Sequence, residues 1–263
     1  MDKTDKKHAP IGVFDSGLGG ISVLKELIHF LPEENYLYFG DSAHAPYGVK
    51  TLEEVRSLTI QNIDRLVLQG CKGIVIACNT ATSAAVHILR RRYPRIPIVG
   101  IEPALKPAVA HCKNAKILVM ATPMTLREKK FHDLMDRYRP EAEMIIPLPC
   151  PGLMEFVEHG IIEGDDLFFY LQELLAPWLS MQLSCVVLGC THYPFVKKEI
   201  QKILGPQVAI IDGGAGTARQ MKNRLTELEL LNPDKNRGQV EILNSNTDPQ
   251  LKDLVWQLLR SSH

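Results

Sequence analysis

At 263 residues, with 30 lysines and arginines set against 30 aspartates and glutamates, the chain is long enough for one large or two medium cores. It carries no net charge to draw it to nucleic acid or to an anionic membrane. No apolar run approaches the roughly 20 residues of a membrane span, and the charged start at residues 1–8 is unlike a secretion signal, so a cytosolic protein acting on a small molecule is expected.

In chain order, residues 11–14 read as a first strand. The run Asp15-Ser16-Gly17-Leu18-Gly19-Gly20 reads as a turn into an amphipathic helix from Ile21 to about Phe30. The glycines let backbone approach a ligand at the helix start, but the G-x-G-x-x-G spacing is absent and Asp15 would repel a pyrophosphate. A plain turn with Asp15 or Ser16 as the helix cap is the alternative. Residues 36–39 form a second strand, followed by a loop, 41–48, that gathers the carboxylate of Asp41, the hydroxyl of Ser42, the imidazole of His44 and the phenol of Tyr47 between Pro46 and Gly48. So varied a set suits a pocket wall better than a connector. Thr51, with Glu53 and Glu54, opens a helix that runs to about Gln69.

Next comes the apolar run 73–77, which ends in Cys78-Asn79-Thr80-Ala81-Thr82. A helix with a solvated basic face at Arg90, Arg91 and Arg92 leads to a fourth strand at 96–101. The pattern then restarts. Residues 115–125 repeat the first strand and its turn, 144–147 followed by 150–160 repeat the second strand and its loop, and 185–189 deliver Cys190-Thr191-His192 as 73–77 deliver Cys78. Residues 208–214 close this half as 96–100 close the first. A polar stretch at 232–239, a strand at 240–243 and a helix at 249–259 are too short for a third domain and are expected to return to the first half.

The expected fold is α/β, with two similar three-layer α/β domains related by a pseudo-twofold axis and an active site in the cleft between them. Residues 1–99 and 213–263 make the domain that carries Cys78. Residues 100–212 make the one that carries Cys190.

Of the six cysteines, Cys71, Cys78, Cys112, Cys150, Cys185 and Cys190, none forms a CxxC pair or a regular disulfide framework, so free thiols and no metal are expected. Cys78 and Cys190 stand apart because each ends a buried parallel strand and is followed by hydroxyl, amide or imidazole groups that would be wasted in a core. Two thiols on opposite sides of one cleft suit inversion of a stereogenic carbon, where one group removes a proton from one face and its mate returns a proton to the other. A thiol's ordinary pKa of about 8.5 lets modest tuning yield either form. Asp15 is the expected helper of Cys78, and His192 that of Cys190.

These residues carry a resemblance. The runs 14–20, 41–48, 77–82 and 189–194 resemble, in order and across nearly the whole chain, the motifs of the bacterial glutamate racemase family among the aspartate/glutamate racemases. The resemblance implies cofactor-independent interconversion of L- and D-glutamate for peptidoglycan synthesis, in a cytoplasmic homodimer. It implies that Cys78 and Cys190 are the proton donors and acceptors, assisted by Asp15, His192 and a carboxylate at Glu158 or Glu155. It also implies that Asp15, Ser16, Tyr47, Gly48, Asn79, Thr80, Thr82, Thr191 and His192 line the substrate site. His44 and Ser42 depart from the family, which more often has arginine and threonine there. Three other readings stay open. They are an aspartate racemase, a cysteine hydrolase built on Cys190 and His192, and an amino-acid-binding regulator.

Overall fold

The computed structural model describes residues 3–111 and 114–261; Cys112, one of the expected thiols, lies outside them. The described residues divide into two compact units, one drawn from 3–101 and 214–260 and the other built on Glu102–Gly213.

The first unit runs α1 (Lys3–His8), β1 (Ile11–Asp15), α2 (Ile21–Phe30), β2 (Tyr36–Gly40), α3 (Leu52–Leu68), β3 (Gly73–Ile76), α4 (Asn79–Arg92) and β4 (Ile98–Gly100). The second comprises α5 (Leu105–His111), β5 (Ala115–Ala121), α6 (Pro123–Arg127), α7 (Lys129–Tyr138), β6 (Ala142–Pro149), α8 (Leu153–Glu158), α9 (Asp165–Leu175), β7 (Cys185–Leu188), α10 (Lys197–Leu204) and β8 (Ala209–Asp212). The chain then returns to the first unit with α11 (Gly214–Glu227), β9 (Val240–Asn244) and α12 (Pro249–Arg260).

Both sheets are parallel throughout. Their strand orders are β4-β3-β1-β2-β9 and β6-β5-β7-β8. Read from the fourth strand of each unit, the order is fourth, third, first, second in both, so the repeat seen in the sequence is a repeat of topology. In each case the strand that delivers the thiol, β3 or β7, lies next to the unit's first strand.

The physical cause is the composition of these strands. All residues of β1, β2, β3 and β7 are buried, and strands buried on both faces take continuous apolar runs and need helices on both sides. In the first unit α3 packs on α4, and α2 packs on α11 and α12. The second unit's core joins Leu105 and Val109 of α5, Ile117 and Val119 of β5, Phe131 and Met135 of α7, and Val187 of β7.

The stretch 150–160, expected as a loop, contains the helix α8 (Leu153–Glu158), and several element boundaries also differ from the sequence reading. The strand expected at 96–101 contracts to Ile98–Gly100, since Pro97 offers no N–H and contributes only its carbonyl, which accepts from Ile74 N–H at 2.9 Å. The strand expected at 144–147 extends to Ala142–Pro149, an edge strand with one fully buried residue, where proline is tolerated. The helix expected from Thr217 begins at Gly214.

In the tail, β9 pairs β2 in parallel from Tyr36 opposite Val240 to Gly40 opposite Asn244. A buried ion pair anchors the return. Glu34 Oε2 lies 2.5 Å from Lys72 Nζ, both side chains being at most 2% exposed, and Glu34 Oε1 accepts from Asn232 N–H at 2.8 Å. Lys72 also donates to the Lys7 carbonyl. Among the described residues no helix is long and apolar enough to cross a membrane.

Candidate active site

In the first unit the candidate site residues gather where β3, β1 and β2 end. Cys78 is the residue before α4 and caps it, its Sγ accepting from Ala81 N–H at 3.4 Å. The Ser16 hydroxyl donates to the same sulfur at 3.4 Å.

Asp15, the last residue of β1, is fully buried and accepts from Gly17 N–H at 3.0 Å through Oδ2. Neither Asp15 nor Ser16 caps α2, which corrects the alternative raised by the sequence. The cap residue is Gly20, with no side-chain cap bond, and a Cβ on Gly20 would lie 2.5 Å from that of Asp15. The turn is built to bring helix and carboxylate together, and only glycine fits between them.

The first turn of α4 supplies Asn79, Thr80 and Thr82, all buried. Thr82 donates to the Ile76 carbonyl at 3.2 Å, so its hydroxyl bonds the strand it packs on. Asn79 Oδ1 is buried and has no hydrogen-bond partner among the described residues. An orphaned acceptor of this kind costs about 1–3 kcal/mol unless a ligand donor meets it.

The loop after β2 is organised around Asp41, whose side chain is buried. Its Oδ2 accepts from the Tyr47 hydroxyl at 2.6 Å and from Asn62 Nδ2 of α3 at 3.0 Å. Its Oδ1 lies 2.7 Å from His44 Nδ1. Burial alone would raise the Asp41 pKa, but hydrogen bonds from His44, Tyr47 and Ser245 outweigh it and hold the carboxyl below its usual range. Tyr47, by contrast, is pushed far above the usual phenol range by burial and then by its bond to Asp41. Its proton therefore stays on the phenol, directed at Asp41, and toward a ligand the phenol oxygen can only accept. Gly48 sits in the middle of the short helical turn Tyr47–Val49.

In the second unit Cys190 lies just beyond β7. Its Sγ is 3.5 Å from His192 Nδ1, and His192 Nε2 is 2.6 Å from Glu158 Oε1 at the end of α8. Of the two carboxylates left open by the sequence, Glu158 is the one in contact with the imidazole. His192 is buried, which by itself would neutralise it; the hydrogen bonds to Cys190 and Glu158 prevail and raise its pKa well above the ordinary value. Thr191 is buried between Cys190 and His192 in the chain.

The remaining described cysteines, all free thiols, have other surroundings. Burial raises Cys71 to about 12. Burial, with Cys190 nearby, does the same to Cys150, whose thiol donates to the Leu148 carbonyl at 3.4 Å. Cys185 is packed in the second unit's core. Cys78 and Cys190 follow the corresponding strands β3 and β7 of the two units, whereas Cys150 follows the edge strand β6, with Tyr193 and Cys190 as neighbours. Among the described residues no group of three or more His, Cys, Asp or Glu side chains is arranged to hold a metal. Asn62 and Ser245 are the members of the Asp41 cluster that sequence reasoning missed. They reach it from 21 residues away and from the far tail, and no local pattern marks them.

The sequence profile of the Asp/Glu/Hydantoin racemase family matches residues 11–221, which includes both thiol motifs. The chain belongs to this racemase family. Within it, a glutamate racemase of Clostridium perfringens is 53% identical over 255 residues, covering 97% of this chain and 98% of that protein. Two crystal structures of family members extend the likeness to three dimensions. The glutamate racemase of Francisella tularensis in complex with D-glutamate superposes with a TM-score of 0.85 at 30% identity, over 97% of this chain and 95% of that one. The Escherichia coli glutamate racemase in complex with L-glutamate and the activator UDP-MurNAc-ala does so with a TM-score of 0.83 at 30% identity, over 95% of each.

Proposed function

We propose that this racemase interconverts L- and D-glutamate by a two-base mechanism without a cofactor, and so supplies D-glutamate for peptidoglycan synthesis. The observation that carries the reading is the pair of strand-end thiols, Cys78 and Cys190, in equivalent positions of two units of one topology, each with its own proton-handling neighbours. The substrate is taken from the relatives, named as glutamate racemases and covered over nearly their whole length.

The thiolate of one cysteine removes the α-proton, and the thiol of the other delivers its proton to the opposite face of the planar carbanion. In the next turnover, of the opposite enantiomer, the roles exchange. His192, held by Glu158, handles the proton at Cys190; Ser16 and the Ala81 amide steady Cys78, with Asp15 at the turn beside them. Asn79, through its orphaned Oδ1, accepts from the substrate ammonium. Thr80, Thr191, Tyr47 and Gly48 complete the substrate's surroundings, and the α4 N-terminus favours a carboxylate. We place the enzyme in the cytoplasm as a homodimer, on the strength of the family resemblance.

The test is isotopic. In deuterium oxide, product formed early from either enantiomer acquires deuterium at Cα, while recovered substrate keeps its protium, because a captured proton returns only to the face it left. Product that retains the substrate hydrogen overturns the mechanism. Dialysed protein with chelator keeps its full rate; activity that requires added metal or pyridoxal phosphate overturns the cofactor-free reading.

The line Cys190, His192, Glu158 also has the form of a hydrolase triad. In that second reading Cys78 is expendable, so a fully active Cys78→Ala variant would select it.

A further inference from the structure

We propose that Ser245 and Asn244, on the C-terminal segment that returns to the first unit, are positioning residues that hold the 41–48 loop in its substrate-binding form. The inference rests on the proposed glutamate site, of which Tyr47 and Gly48 are part.

The loop has little structure of its own. It consists of two short 3-10 turns, Ser42–His44 and Tyr47–Val49, and neither has a side-chain cap. Such turns have poor hydrogen-bond geometry and hold their shape only when other parts of the chain supply partners. The C-terminal segment supplies several. The Ser245 hydroxyl accepts from Ala43 N–H at 2.9 Å and hydrogen-bonds the Asp41 carboxylate. Ser245 N–H donates to the Gly40 carbonyl at 2.9 Å, carrying the β2–β9 pairing past the strand end. Asn244 Nδ2 donates to Ser42 Oγ at 2.9 Å, and it packs so close that a Cβ on Gly40 would lie 2.9 Å from it.

The contacts therefore fall on consecutive residues 40–43, at the root of the loop. From there Asp41 passes the constraint to Tyr47 through the 2.6 Å bond, with Asn62 of α3 bracing the same oxygen. Ser245 and Asn244 touch the loop, and the loop touches substrate. They are half-buried, so removing a hydroxyl there leaves the core intact. The profile of the family stops at residue 221, whereas β9 starts at Val240. The segment thus adds a second support to a loop that Asn62, within the matched stretch, braces at Asp41.

The experiment measures both directions of racemisation, direct binding of D-glutamate by calorimetry, and thermal unfolding for the wild type, Ser245→Ala, Ser245→Thr and Asn244→Ala. The expected result is a KM and a dissociation constant raised about tenfold in Ser245→Ala and a few-fold in Asn244→Ala, with kcat and melting temperature near native. Ser245→Thr, which keeps the hydroxyl, restores KM. Unchanged KM in both alanine variants overturns the inference, as does a loss of kcat, KM and melting temperature together that threonine fails to rescue. If Ser245→Ala fails to fold, Ser42→Ala breaks the Asn244 bond from the loop side and is held to the same KM criterion. Should the wild type racemise no glutamate, the parent reading is at fault, and amide hydrogen exchange of residues 41–48 decides instead. Faster exchange in Ser245→Ala upholds the positioning role, and unchanged exchange overturns it.

Discussion

Cys78 and Cys190 end equivalent strands of two units with one strand order, yet their surroundings share almost nothing. The Cys78 sulfur accepts from a serine hydroxyl and from a backbone amide at the head of a 14-residue helix. Cys190 faces an imidazole backed by a carboxylate, and the chain beyond it makes the 3-10 turn Tyr193–Val196 before the shorter α10. The repeat of the fold fixes where a thiol stands. It leaves open what stands beside that thiol, and the two units differ there: a hydroxyl and a backbone amide bond the Cys78 sulfur, and an imidazole paired with a carboxylate stands at Cys190.

The sharpest way to break the comparison is to remove the sulfurs. Cys78→Ala and Cys190→Ala should each lower racemisation by at least about 10²–10⁴-fold, because in the proposed mechanism each group acts in every turnover. Near-native turnover in either variant ends the equivalence of the two positions.

Removing the helpers tests the difference itself. His192→Asn should lower kcat by about 10²-fold as a lost acid–base group, whereas Ser16→Ala, which loses one hydrogen bond, should cost about tenfold. Equal losses would mean that the two surroundings do the same work. The pH profile separates them further. Glu158→Gln weakens what holds the His192 proton, so the alkaline limit of kcat/KM should move to lower pH; Ser16→Ala has no titrating group to lose and should leave that limit where it is.

The smallest effect is on stability. The folded pKa of His192 is raised, so its pairing contributes fully below the unfolded imidazole value of about 6.5 and is lost as pH rises through the folded value. The melting temperature of Glu158→Gln should therefore fall furthest below wild type at about pH 5–6.5, with the gap closing at alkaline pH. A gap independent of pH would assign Glu158 a packing role only.

Much of this was legible in the sequence because parallel buried strands write themselves as apolar runs. The runs that become β3 and β7 end abruptly in Cys78 and, one residue beyond Gly189, in Cys190, and the abruptness is what marks them. The capping box opening α3, with Thr51 and Glu54 bonding reciprocally, was legible for the same local reason. What was not legible is long-range. Nothing near Ser245 indicates that its hydroxyl lies against residue 43, 202 positions earlier, and a lone Lys72 reads as a surface charge until Glu34 is found beside it. The edge strand β6 was underestimated because only one of its eight residues is fully buried, which erases the pattern by which strands are read.

The unlike surroundings of the two thiols have a consequence for kinetics. Enantiomers have the same free energy in an achiral solvent, so the kcat/KM values of the two directions must be equal whatever the enzyme does. A serine and an amide on one side, against an imidazole and a carboxylate on the other, give the two directions no reason to share a turnover number. Any advantage in kcat that this asymmetry confers on one enantiomer must reappear, in full, as a weaker apparent affinity for it. Unequal speeds matched by unequal saturation are thus the kinetic image of a molecule that repeats its fold without repeating its chemistry.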